Sequence, residues 1–230
     1  MSATFVSEPA APSVPPSTAL PPADPSTLAT IDLLLRDRAG FLELLEDGLA
    51  VLPVARALLL TIGVCAAVFG ATLGLYRGGI QVLFAATKLP LAVLLTAAVC
   101  APVLSAVSRV VQRQADLRRD LLLVLSALAL GSLILAALAP LVLLGVHMEL
   151  SYHDLTLVLV GCCAIGGLVG LRLLRAGLKR RGPGHRQVSL VLLVTFALVG
   201  SQMAWALRPY LVRPRTPEVP FVRAVEGSFL

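Results

Sequence analysis

Apolar residues run along this chain in five long stretches, at about residues 57–75, 89–107, 121–146, 155–174 and 188–207, whose cores hold no Asp, Glu, Lys, Arg or His. A helix crossing a hydrocarbon core of roughly 30 Å needs about 20 such residues. Each stretch therefore predicts one transmembrane helix, and the five occupy nearly half of the chain. The runs are continuous rather than alternating, which excludes the strands of a membrane β-barrel. The third stretch corresponds to about 39 Å of helix and predicts a tilted or bent span.

Ahead of the first span the pattern changes. From Thr30, read as an N-cap, Ile31, Leu34, Leu35, Leu42, Leu45 and Leu49 recur at spacings near three and four, with Asp32, Arg36, Glu43, Glu46 and Asp47 largely off that stripe. This predicts an amphipathic helix over 30–50. Its acidic residues, with Asp37 beside them, match anionic headgroups poorly, so it either lies along the membrane surface or packs on the ends of other helices. Residues 1–29, rich in Pro, Ala and Ser, bury too little apolar surface to offset ordering entropy and are expected to be a disordered tail. The segment 208–230, with Pro209, Pro214, Pro217 and Pro220, is expected to be extended. The expected architecture is all-α: a membrane bundle of five transmembrane helices within 51–207, preceded by an interfacial helix.

Composition agrees with the pattern. Hydrophobic residues make up 57% of the 230, against about 45–50% in soluble domains, and mean hydropathy is +0.90. The formal charge of +6 does not point to nucleic acid, because the basic residues flank the spans instead of clustering with aromatics on a polar domain. They fall unevenly. Thirteen of the 19 Lys and Arg lie before span 1, in the loop between spans 2 and 3, or around the loop between spans 4 and 5. The positive-inside rule places those segments in the cytoplasm and the C-terminus outside. Residues 1–35 contain no Lys or Arg and seven prolines, which matches neither a signal peptide nor a transit peptide, so span 1 is expected to act as the targeting signal. The location that follows is a bacterial cytoplasmic (inner) membrane.

Several features bear on function. Gly70 and Gly74 in span 1, and Gly166 and Gly170 in span 4, form small-xxx-small patterns that let helix backbones approach closely. Pro102 and Pro140 predict kinks. Cys65, Cys100, Cys162 and Cys163 all lie inside spans and read as small apolar residues rather than a disulfide framework. Gln81 and Lys88 precede span 2 at a spacing of seven, which places them on one helix face. Two readings exist for Lys88: it snorkels to the outer interface, or residues 80–88 extend span 2 and carry it inside the protein. Gln202 and Arg208 close span 5 on the same side, so Gln81, Lys88, Gln202 and Arg208 form a candidate outward polar cluster. Trp205 and all three tyrosines, Tyr76, Tyr152 and Tyr210, fall at outer boundaries, as an aromatic belt would. His147, Glu149, His153 and Asp154 are metal-competent but match no ligand pattern; an exposed loop accounts for them, and no metal or cofactor is expected.

Catalytic signatures are missing. There is no GxSxG, HExxH, Walker-type loop or GxGxxG after a strand, and ionisable residues of the kind ion-coupled transporters carry are absent from the span cores. Two stretches do resemble signatures of uncharacterised bacterial multi-pass membrane proteins. One is the pattern GxQxLxAAxKxP from Gly79 through Gln81 and Lys88 to Pro90. The other is VGSQMxWxLRP from Val199 through Gln202, Trp205 and Arg208 to Pro209. The resemblance covers about residues 31–230 and implies topology but no activity. The chain departs from that group after Pro209, where Tyr210 to Arg213 replaces Phe and a Gly-containing turn. Five spans after a proline-rich N-terminus also resemble the Yip family of membrane proteins, although that family's short acidic and glycine-proline motifs are not found here. The expected function is non-enzymatic: a membrane protein acting in the lipid bilayer through helix packing or binding, with a second copy or another membrane protein as partner and no nucleic acid. The alternative is a small transporter, channel or lipid-handling protein with an outward polar pocket.

Overall fold

A computed structural model describes residues 26–48, 51–111 and 116–206, with side chains to residue 202. Among them are seven helices and no strand: α1 (Thr27–Arg36), α2 (Arg38–Asp47), α3 (Val51–Gly74), α4 (Ile80–Val111), α5 (Leu117–His147), α6 (Tyr152–Arg180) and α7 (His185–Ala206). Helices α3 to α6 are each long and apolar enough to cross a membrane. With no water to satisfy exposed amides, a bilayer requires such segments to bond internally. The hydroxyls inside them follow the same logic: Thr61 donates to the Ala57 carbonyl (2.7 Å), Thr96 to Ala92 (2.7 Å) and Ser126 to Leu122 (2.6 Å). The predicted tails lie mostly outside the described residues.

The N-terminal segment differs from the single helix expected over 30–50. Helix α1 starts earlier, with Ser26 rather than Thr30 as its N-cap; the Ser26 hydroxyl accepts from the Ala29 amide at 3.2 Å. Thr30 is instead buried in the first turns. Asp37 then splits the segment: its backbone is extended at φ −129°, and its carboxylate accepts from the amides of Ala39 (3.1 Å) and Gly40 (3.0 Å). An aspartate that caps a new helix competes with continuation of the old one. Gly48, at φ +67°, ends α2 in the left-handed conformation that glycine adopts without Cβ strain. Leu34, Phe41, Leu42 and Leu45 join the same buried cluster as Val54 and Leu58 of α3 and Leu123 of α5. Leu34, Leu42 and Leu45 of the predicted stripe thus face protein, while Ile31 is half-buried, Leu35 is exposed and Leu49 lies outside the described residues.

Helix α4 begins at Ile80, nine residues before the predicted span. Gly78 and Gly79, both at positive φ (80° and 60°), make a tight reversal after α3, and the helix then runs through Pro90 and Pro102. Likewise α5 runs through Pro140. Helix α3 packs chiefly on α4 and α5, α5 on α6, and α4 on α7.

Two seams set these distances. A Cβ added at Gly70 would lie 2.4 Å from the Ala85 carbonyl oxygen, and one at Gly74 would lie 2.4 Å from the Val82 Cα. In the second seam, a Cβ at Gly166 would meet the Gly131 carbonyl oxygen at 3.0 Å, and one at Gly170 the Ala127 carbonyl oxygen at 2.5 Å. Both glycine pairs therefore pack within one chain. Because the opposing atoms are backbone, a new methyl must push whole helices apart. Substituting Gly70→Ala or Gly170→Ala is expected to destabilise the bundle by about 1–3 kcal/mol. At Gly63 and Gly167, where no atom lies within 4 Å, alanine should be neutral or stabilising by up to roughly 1 kcal/mol. Thermal unfolding in mild detergent measures both; equal effects at the two kinds of site would show that the seams do not limit stability.

Candidate functional site

The reversal between α3 and α4 brings part of the candidate polar cluster, Gln81 and Lys88, onto one helix face. Extending α4 back to Ile80 puts Gln81, Ala85 and Lys88 on one face, against the Gly70–Gly74 seam, and all three are buried. Lys88 is 0% exposed, so it does not snorkel to an interface. It lies about 12 Å along α4 from Ile80, with Nζ 6.0 Å from the Phe84 ring centroid, within cation–π range. Gln81 is 1% exposed. Arg77, in the turn above, is half-buried, and its Nη1 has no hydrogen-bond partner among the described residues.

Gln202 comes from α7. A Cβ at Gly184 would meet Val111 Cγ1, while Val93 and Phe196 line one groove, so α4 and α7 run antiparallel. Gln202 is half-buried near the end of α7, toward the same end of the bundle as the α3–α4 turn. Arg208 and Tyr210 lie outside the described residues, as does the Trp205 side chain.

The other polar residues do not converge. His147, Glu149, His153 and Asp154 are exposed. Asp154 is engaged in capping α6: its carboxylate accepts from the Ser151 hydroxyl (2.7 Å), which in turn accepts from the Asp154 amide (3.3 Å). Among the described residues no three His, Cys, Asp or Glu could together hold a metal ion. All four cysteines are free: Cys100 and Cys162 are buried, Cys65 is half-buried and Cys163 is exposed.

A second polar site, at the opposite end of the bundle, is absent from the sequence reading. Asp120, in the first turn of α5, is 0% exposed and accepts from Arg181 just after α6; its Oδ2 has no partner among the described residues. Arg180 reaches α2, at 3.2 Å from Glu43 and 4.0 Å from Glu46, and Arg119 lies 3.6 Å from Asp116. These half-exposed pairs contribute at most about 1 kcal/mol each. The buried Asp120 pair differs: removing one partner of such a pair typically costs about 3–5 kcal/mol. A cleft of about 440 Å³ opens among these groups, lined by Leu42, Leu45, Glu46, Asp116, Arg119, Leu123, Gly177, Arg180 and Arg181. The local sequence signal was an Asp directly preceding an apolar run; its partner, 61 residues away, has no sequence signal.

A third feature is apolar. A groove of about 540 Å³ runs between α6 and α7 down to α5, where Gly131, Cys163, Ala164, Gly167 and Phe196 are among its lining residues.

Comparison with known proteins found no matching family model, no matching curated protein and no matching solved structure.

The burial of Lys88 has a direct chemical consequence, because Lys88 and Lys179 are the only two lysines. In purified protein a water-soluble amine-reactive ester should modify exposed Lys179 rapidly and Lys88 at least about tenfold more slowly, as expected when reaction requires local opening. Peptide mass spectrometry reads both sites. Equal rates would place the Lys88 amine in water.

Proposed function

We propose that this chain is a five-span, non-enzymatic protein of a bacterial cytoplasmic membrane, with its N-terminus inside, that acts by associating with another membrane-embedded helix. Four helices have the length and composition to cross a membrane. Helix α7 supplies the fifth span: it has 22 residues, about 33 Å of helix, and an apolar stretch over 188–200. The observation that carries the reading is the groove between α6 and α7. It is apolar, lies at mid-span depth and exposes Gly167 and Ala164, small residues that let an incoming backbone come close. A second copy of this chain is one such partner.

A transport function is the second reading, favoured by one observation: a lysine fully buried in a long apolar helix. Ionisable groups at such depth commonly mark a pathway.

Orientation is tested in sealed cells. An impermeant amine reagent should leave Lys179 unmodified until the membrane is permeabilised; modification beforehand would invert the topology. Association is tested through Cys163, the exposed cysteine of the groove. A membrane-permeant bismaleimide should yield a crosslinked species that disappears in Cys163→Ser. A protein that stays monomeric, and whose solute flux in vesicles is lost in Lys88→Ala, would replace the leading reading with the second.

A further inference from the structure

The cleft between α2, α5 and α6 carries a charge pattern that neither proposed reading uses. Its floor is apolar, at Leu123, which belongs to the buried core. Its rim bears three guanidiniums, Arg119, Arg180 and Arg181, and two carboxylates, Glu46 and Asp116. These residues come from the start of α5, the end of α6 and the side of α2, so the cleft sits where two spans emerge from the bilayer on the side that collects most of the basic residues.

The rim groups are differently committed. Arg181 is held by buried Asp120 and is the fixed member. Arg119 and Asp116 are 3.6 Å apart with both side chains about half exposed; Arg180 is 3.2 Å from Glu43, outside the cleft lining, and 4.0 Å from Glu46. The two contacts that hold the cleft carboxylates Asp116 and Glu46 are long and wet, and separate readily when a better-matched ion enters. An isolated anion would meet the two carboxylates, and an isolated cation would meet the three guanidiniums. A molecule carrying both charges a few ångströms apart, with an apolar body behind them, satisfies rim and floor together.

We propose that this cleft binds the headgroup of a phospholipid carrying a phosphodiester and a primary ammonium, as in phosphatidylethanolamine. The phosphate lies against Arg119 and Arg180, with Arg181 beside it. The ammonium donates to Glu46 and Asp116, and the glycerol end rests over Leu123. Phosphatidylcholine has the same charges but no N–H to donate, so it lacks half of the recognition. Basic pockets between spans on the cytoplasmic side suit lipid headgroups on general electrostatic grounds; here the interleaved carboxylates select a zwitterion over a purely anionic lipid. The proposal rests on α5 and α6 spanning the bilayer with this end inside, which the sealed-cell labelling of Lys179 reports on separately.

Native mass spectrometry of the full chain, purified in mild detergent and offered phosphatidylethanolamine, phosphatidylcholine and phosphatidylglycerol with identical acyl chains, tests it. Phosphatidylethanolamine should be retained about tenfold better than phosphatidylcholine, the equivalent of about 1.4 kcal/mol. Glu46→Gln should erase most of that preference, whereas Arg119→Gln should lower retention of both zwitterionic lipids and leave their ratio, each without a large change in the melting temperature of the lipid-free protein. Equal retention of the two zwitterionic lipids would overturn the proposal, as would preferred retention of phosphatidylglycerol. Displacement of the lipid by chain-free phosphoethanolamine at equal concentration would assign the cleft to a soluble headgroup and overturn the lipid source. The comparison of lipids on the unsubstituted chain decides the matter even if a variant fails to fold.

Discussion

Backbone-to-backbone contact at glycine sets the spacing of the spanning helices, and most of the molecule's chemistry follows from it. In hydrocarbon there is no hydrophobic gain from pairing two apolar helices, so association depends on how closely they fit. At Gly70 and Gly74 the α3 backbone presses on Ala85 and Val82 of α4; at Gly166 and Gly170 that of α6 presses on Gly131 and Ala127 of α5. The first seam closes over the α4 face that bears Gln81 and Ala85, one helical turn before Lys88. The second joins α6 to α5 and leaves α6 more loosely joined to α7, with the apolar groove between them.

The two ends of the bundle solve different electrostatic problems. Near the α3–α4 turn, a lysine is carried into the protein by a helix that starts earlier than its apolar run, and an aromatic ring covers part of it. At the other end, charges from α2, α5 and α6 neutralise one another across a cleft. The buried Asp120–Arg181 pair orders that region because neither partner can be left alone in a low-dielectric setting. The same pair ties the loop after α6 to the start of α5, while Arg180 ties α6 to α2. The short N-terminal helices are therefore part of the bundle's floor, with Phe41 fully buried.

How much of this was legible depended on how local its cause was. The spanning segments α3 to α6 could be read directly, because apolar runs of this length have few alternatives. The glycine pairs were visible as patterns, but their partners were not: spacing alone does not tell whether Gly70 faces a helix of its own chain or of another. The break at Asp37 was missed because the leucine stripe continues across it, whereas the competition is between one carboxylate and the helical amides it caps. Lys88 left two readings open, since its position beside Pro90 suits an interface as well as a helix interior. Asp120 was overlooked because a charge at the edge of an apolar run looks like a boundary, and its partner lies across the loops.

By itself, then, the sequence determined an all-helical chain with apolar segments of spanning length, an uneven distribution of positive charge and small residues placed for close packing. These are properties of residues within about one helix of each other, governed by solvation and hydrogen bonding along the chain. The tertiary structure alone decided which helices the glycines bring together, that Lys88 is buried, that Asp120 meets Arg181, and that three arginines and two carboxylates share one cleft. Those outcomes depend on contacts between residues far apart in the chain, where the energy of a side chain is set by whichever neighbour the fold brings beside it.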